Sequence, residues 1–210
     1  MNEGVLIKDG RSLELLNQVD TIVFDKTGTL TEVQPGIGEI YSFSSYEEDD
    51  ILRFAAIAEH KQNHPLALTI LSEAERRGLD IPTPEYGECK LGYGVKAKFE
   101  ETIVVAGSLR FIHLEGICVP LSVQSLVEAT QETGCGLIMV AKDHVLLGCI
   151  KLLPSLRPEV KGVIDSLKRC KSIKKIYIIS GDMEEPTARL AQDLNTVSYT
   201  HLTLPTILLV

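Results

Sequence analysis

The chain contains no C-x-x-C pair, and its five cysteines, Cys89, Cys118, Cys135, Cys149 and Cys170, follow no regular spacing. A disulfide framework or a metal knuckle needs paired, evenly placed ligands, so these are read as buried thiols of a reducing compartment. No stretch approaches the roughly 18 uninterrupted apolar residues of a membrane span, and the first residues lack the pattern of a signal peptide. Basic residues are in the minority, with 21 Lys and Arg against 29 Asp and Glu and a formal net charge of -8. A nucleic-acid partner wants a basic face, which this balance argues against. Aromatics are scarce at 5%, yet 24% of residues are charged, an ordinary soluble globular composition rather than a disordered or collagenous one. A chain of 210 residues can bury a real core as one large domain or two small ones.

What is present is concentrated in "FDKTGTLT", residues 24–31, which packs an acid, a lysine, three threonines and a glycine behind the apolar run "VDTIVFD". That run reads as a buried parallel strand ending at Asp25, and ligands of open α/β sheets bind at such carboxyl ends. A second unit of the same kind comes late. "RPEVKGVIDSLKRC" places Val160, Val163, Ile164 and Leu167 at helical spacing, and "IKKIYIISGD" is an apolar strand ending in a small-residue turn and an acid. "EEPTARLAQDL" then opens a helix with acids at its positive end and Pro186 in the first turn. The two strand ends would bring Asp25 and Ser180 side by side in a phosphate pocket on a doubly wound sheet.

The intervening residues have a different pattern. "DDILRFAAIAEHK" and "HPLALTILSEAERRG" read as amphipathic helices, the second with Pro65 at its first position and Gly78 at its stop. "YGVKAKFEETIVVAGS" reads as a hairpin turning at Glu100 and Glu101, "LSVQSLVEATQETG" as a third helix, and "GLIMVAKDHVLLGCIKLL" as a hairpin turning near Asp143 and His144. The expected fold is an α/β doubly wound domain with an inserted α+β module. Its parts are residues 1–33 and 153–196 for the first domain and 34–152 for the insert. From residue 197 the chain reads "VSYTHLTLPTILLV", without an acid, lysine or arginine. This string resembles the translation of a sequencing-library adapter, so residues 197–210 are expected to be a non-native tail.

An aspartate at a strand end can be a nucleophile, general base, metal ligand or helix cap, and its surroundings decide. Gly28 lets the backbone approach a ligand, turning peptide N–H groups can cradle a phosphoryl group, Lys26 adds positive charge, and Thr27 and Thr29 supply hydroxyls. Such a loop suits a carboxylate attacking phosphorus to give an aspartyl phosphate, with Mg²⁺ offsetting the repulsion between two anions. Phosphatases of the haloacid-dehalogenase type carry a second aspartate two residues after the nucleophile, as acid and base. Here that position holds Thr27, and loss of a positioned acid–base costs typically 10²–10⁴ in rate. A long-lived acyl phosphate suits a pump, whose phosphoenzyme must wait for a change of shape.

"DKTGTLT" resembles the phosphorylation signature of P-type ATPases, and "GVLIKDGRSLELLNQVDTIVFDKTGTLT" is similar to the heavy-metal-transporting branch; the resemblance runs from Gly4 to about Asn195. It implies that Asp25 is phosphorylated within the loop Lys26, Thr27, Gly28 and Thr29, that Asp25 and the Thr27 carbonyl hold Mg²⁺, and that Ser180, Gly181 and Asp182 contact the phosphoryl and nucleotide region. It also implies that the insert binds ATP through Glu59, through His64 and Pro65 of a His-Pro motif, through Gly92 and Gly94 of a Gly-x-Gly, and through Gly107. Singly, these signals are ordinary: a His before a helix-starting Pro is usually a capping feature and a lone G-x-G usually a turn. Ser108 replaces the usual Asn after Gly107, and Pro154 replaces the acid that usually precedes Arg157. The segment "GDGxND", a phosphate-stabilising lysine and membrane helices do not occur in the chain. The expectation is a cytoplasmic fragment of a heavy-metal pump, joined in the full-length protein to a membrane domain that moves the metal cation, and little active alone. The alternatives are a soluble haloacid-dehalogenase-type phosphohydrolase and a nucleotide-binding module without chemistry.

Overall fold

The structure, a computed structural model, describes residues 10–180 and 184–199. It begins with α1 (Gly10–Leu16), β1 (Thr21–Asp25), β2 (Gly36–Ser42), α2 (Glu48–Glu59) and α3 (Pro65–Arg76). Three strands and two helices follow: β3 (Tyr86–Lys90), β4 (Gly94–Phe99), β5 (Thr102–Gly107), α4 (Leu109–Leu114) and α5 (Leu121–Glu132). The remainder is β6 (Gly136–Lys142), β7 (Val145–Leu153), α6 (Val160–Arg169), β8 (Lys175–Ile179), α7 (Glu184–Asp193) and β9 (Val197–Tyr199). These divide into two compact units, one of Met1–Thr31 with Leu156–Val210 and one of Glu32–Ser155. The insert begins and ends there because Glu32 N donates to Ser155 O at 2.7 Å and β2 pairs with β7 from Gly36↔Leu153 onward.

The first unit holds a parallel sheet in the order β1-β8-β9. Its core is Leu30 with Val160 and Ile164 of α6, Ile176 and Ile178 of β8, and Ala191 and Leu194. Helix α6 presents Val160 and Ile164 to this core and carries Lys168 and Arg169 in its last turn, where cations meet the negative helix end. Strand β1 differs from the buried strand expected. No side chain in it is buried and Val23 is 50% exposed, because β8 is its sole strand neighbour among the described residues. The first three residues of the expected tail form β9, parallel to β8, and residues 200–210 lie outside the described residues.

The second unit is a six-stranded antiparallel sheet in the order β2-β7-β6-β5-β4-β3, covered on both faces. One face packs Ile51, Leu52, Ile57 and Ile70 of α2 and α3 against Val104, Ala106, Ile138 and Val140. The other packs Phe111, Ile112 and Val123 against Val105, Met139 and Ala141. Burial on two faces explains why β6 and β7 read as continuous apolar runs. Helix α2 opens with a reciprocal capping box between Glu47 and Asp50 and with three acids in its first turn. The β6–β7 turn has Asp143 and His144 at φ 47° and 64°, the left-handed pair that a tight hairpin with strand-matched twist requires. The thiols depart from expectation. Cys89, Cys118 and Cys170 are exposed, Cys135 is half-buried and Cys149 alone is buried, because the other four fall in loops or on an edge strand.

Candidate functional site

Strand β1 ends at Asp25, and the next five residues form a wide turn, with Thr27 (φ -79°, ψ 120°) and Gly28 (φ 76°, ψ -11°) outside helical geometry. A Cβ at Gly28 would meet nothing within 4 Å, so the left-handed φ, not crowding, is what calls for glycine. Thr31 closes the turn. Its N and Oγ1 both donate to Lys26 O, at 3.0 and 3.2 Å, and Oγ1 accepts from Gly28 N at 3.2 Å. The returning chain braces the turn as well: Arg157 Nη2 donates to Gly28 O at 3.0 Å and Arg157 N to Leu30 O at 3.0 Å. The outcome is a rigid loop that leaves Asp25, Thr27 and Thr29 exposed while Lys26, at 8% exposure, is buried. Parallel register sets Asp25 opposite Ile179, so buried Ser180 follows at the neighbouring strand end. Gly181 and Asp182 lie outside the described residues.

The second unit holds a cavity of about 390 Å³ lined by Glu59, His64, Gly92, Gly94, Gly107 and the walls around them. Glu59 is the last residue of α2 and His64 the cap of α3, where its Nδ1 accepts from Ala67 N at 3.2 Å. An accepting Nδ1 puts the neutral ring's proton on Nε2, which stands 3.1 Å from Glu59 Oε2. The approach is off the line of a hydrogen bond, however, and Oε2 is buried with no hydrogen-bond partner. Burial pushes the Glu59 carboxyl up to about 7. An unsatisfied buried oxygen in the wall of a cavity fits a ligand that brings its own donor.

The glycines divide by role. Gly92 (φ 77°) opens onto empty space, so its conformation is what matters. Gly94 and Gly107 are partners across β4 and β5, and a Cβ on Gly94 would lie 2.4 Å from Ala106 O and 2.7 Å from Gly107 Cα. Their bareness lets two backbones and Phe111 meet beneath the cavity. Ser108 caps α4, accepting from Phe111 N at 3.3 Å, and its Oγ donates to Tyr93 O at 3.1 Å. Pro65 sets the start of α3 and is not part of the cavity wall. Lys90, Tyr93, Leu137 and Leu152 are among the other residues of the wall. Tyr93, framed by the two glycines, was the member that sequence could have flagged.

An aspartate at a parallel strand's carboxyl end, in an α/β unit interrupted by a second compact unit, defines the class. The profile of the haloacid dehalogenase-like hydrolase family matches residues 19–204, and the chain belongs to that family. Within it, a copper-transporting P-type ATPase of Rhizobium leguminosarum bv. viciae is 35% identical over 192 residues, 91% of this chain and 22% of that protein. A manganese-exporting P-type ATPase of Mycobacterium tuberculosis is 32% identical over 192 residues, 91% of this chain and 27% of that protein. The crystal structure of a zinc-transporting PIB-type ATPase in the E2·Pi state superposes with a TM-score of 0.73 at 30% identity, covering 96% of this chain and 32% of that one. The catalytic CPx-ATPase domain CopB-B gives a TM-score of 0.67 at 25% identity, covering 94% and 66%. The chain is thus homologous to the cytoplasmic catalytic domains of heavy-metal P-type ATPases, and it spans 22% to 27% of the length of these two curated relatives. No helix among the described residues is long and apolar enough to cross a membrane.

Proposed function

We propose that the chain is the nucleotide-binding and phosphorylated portion of a heavy-metal-translocating P-type ATPase. The observation that carries this is an exposed Asp25 on a braced loop with Thr27, not a second carboxylate, two residues on. ATP enters the cavity of the second unit, where Glu59 Oε2 takes a donor from the base and His64 and Gly92 flank it. An Asp25 oxygen attacks the γ-phosphorus; the new O–P bond forms as the bond to the β-phosphate bridging oxygen breaks, and ADP leaves with that electron pair. Asp25 and the Thr27 carbonyl are hard oxygen donors and fit Mg²⁺, which would supply charge neutralisation at the phosphoryl oxygens. Lacking a positioned acid–base at position 27, the loop leaves the acyl phosphate standing. In the longer protein, its breakdown is coupled through a membrane domain to movement of the metal cation.

The test is γ-labelled ATP on the full-length protein. An acid-stable, hydroxylamine-sensitive label that Asp25→Asn abolishes is expected; an unlabelled protein that instead releases phosphate from small esters would make it a phosphohydrolase. The 210-residue chain alone is expected to bind ATP with little turnover.

A further inference from the structure

Two cations meet at one residue of the nucleotide cavity's wall. Lys90 Nζ lies 5.1 Å from the centre of the Tyr93 ring and the Arg110 guanidinium carbon 4.9 Å from it. Lys90 arrives from the end of β3 and Arg110 from α4, so two elements bring their cations to one half-buried aromatic. Lys90 and Tyr93 line the cavity; Arg110 lines an adjoining one of about 560 Å³, and Ser108, Gly136 and Leu137 belong to both. Three other lysines of this sheet are matched to carboxylates, Lys96 to Glu115 at 2.6 Å, Lys98 to Glu85 at 3.6 Å and Lys151 to Glu39 at 3.2 Å, while Lys142 lies over Tyr46 and Phe54. Among the described residues, Lys90 and Arg110 have no carboxylate partner. In a chain of net charge -8, two cations held over one ring without an acid between them form a positive site awaiting an anion.

We propose that Lys90 and Arg110, steadied on the Tyr93 ring, bind the polyphosphate of the nucleotide whose base occupies the Glu59–His64 end. This rests on the nucleotide reading above and adds the direction in which the ligand lies. Lys90 in the wall of this cavity and Arg110 in that of the adjoining one meet at Tyr93 without a carboxylate partner, so the Tyr93 side is where an anionic group of the ligand is attracted. Planar guanidinium and mobile ammonium both suit phosphate oxygens, and aromatic stacking limits the freedom each loses on binding.

The 210-residue chain is titrated calorimetrically with adenosine and with ATP, as wild type, Lys90→Gln, Arg110→Gln and the double variant. Lys171→Gln, an exposed residue of the other unit, controls for overall charge. Each single change is expected to weaken ATP about three- to tenfold, as removal of one charge-assisted hydrogen bond does. The double variant should bind ATP no better than adenosine, with adenosine affinity and the Lys171→Gln control unchanged. ATP affinity unaltered in the double variant overturns the proposal, and so does a parallel loss of adenosine binding, which would make these side chains wall rather than anion site. A wild type that binds neither ligand overturns the nucleotide reading itself.

Discussion

Glu59 offers the sharpest test of the cavity's electrostatics. Its side chain is 3% exposed, Oε2 has no hydrogen-bond partner, and the ionisable group facing it is His64, the cap of α3. Burial raises the carboxyl from an ordinary 4.5 to about 7. The native state therefore holds the proton more tightly than the unfolded chain does. The resulting stabilisation is complete below about pH 4.5 and is lost as pH rises through about 7. At about 1.4 kcal/mol per pH unit across that interval, the second unit loses about 3 kcal/mol, an upper figure because water and His64 relax around the charge. Glu59→Gln keeps the shape and cannot ionise, so its stability should stay level through the same window. Urea unfolding followed by far-UV circular dichroism, without nucleotide, from pH 5 to 8 measures this. Wild type and variant should be nearly equal at pH 5, with the variant more stable at pH 8 by up to about 3 kcal/mol. Parallel profiles, or a wild type that gains on the variant as pH rises, would refute the reasoning, because the carboxyl would then be ionised and satisfied in the native state.

Gly94→Ala should destabilise the second unit by about 2–4 kcal/mol in the same assay, since the new Cβ meets backbone at 2.4 and 2.7 Å. Gly92→Ala, with open space but a left-handed φ, should cost only about 1 kcal/mol. Arg157→Ala removes the brace on Gly28 O, so phosphoenzyme labelling in the full-length protein should fall about tenfold or more while nucleotide affinity is unchanged, as expected when the loop is mis-set and the nucleotide cavity stays intact. His64→Asn retains an N-cap acceptor and should hold stability within about 0.5 kcal/mol, whereas His64→Ala should lose about 1 kcal/mol; both should weaken adenosine binding, because both remove Nε2. A thiol-reactive dye should label Cys89, Cys118 and Cys170 in the native chain and Cys149 only after unfolding, since burial pushes that thiol up to about 12.

The helices were legible where local chemistry marks their ends. Acids precede α2, Pro65 opens α3 and Gly78, at φ 70°, stops it. The β4–β5 and β6–β7 hairpins were legible from apolar runs broken at charged pairs. Strands β2 and β3 were not, because "GIGEIYS" and "YGECK" are the sheet's two edges; half their residues meet water and neither carries a clean alternation. Helix α4 is six residues long, too short for periodicity, although its Ser108 cap was a usable signal. At the site, residue types were readable and their division of labour was not. Whether a glycine serves a ligand or a neighbouring strand depends on how closely Gly94, Gly107 and Phe111 approach, which the hairpin register pairs but no local rule measures. Nor does the sequence show that α2 is buried nearly all round from Ile51 to Glu59, the condition that strands a carboxyl in the interior.

The composition of residues 25–31 has a physical answer in the loop itself. Its three threonines are not equivalent. Thr31 is 8% exposed and spends its hydroxyl inside the turn, donating to Lys26 O and accepting from Gly28 N, whereas Thr27 and Thr29 are exposed. Gly28 supplies the one backbone conformation that the turn needs, and Arg157 fixes its carbonyl from a strand of chain 129 residues away. These braces are backbone, hydroxyl and guanidinium, and among the described residues none comes from the Asp25 carboxylate. A nucleophile that also held its own loop together would lose that support on becoming an ester-like acyl phosphate, whereas under the proposed function this scaffold would survive the chemistry. Under the proposed function, this separation would let the loop carry a covalent phosphate for as long as a slow conformational step requires.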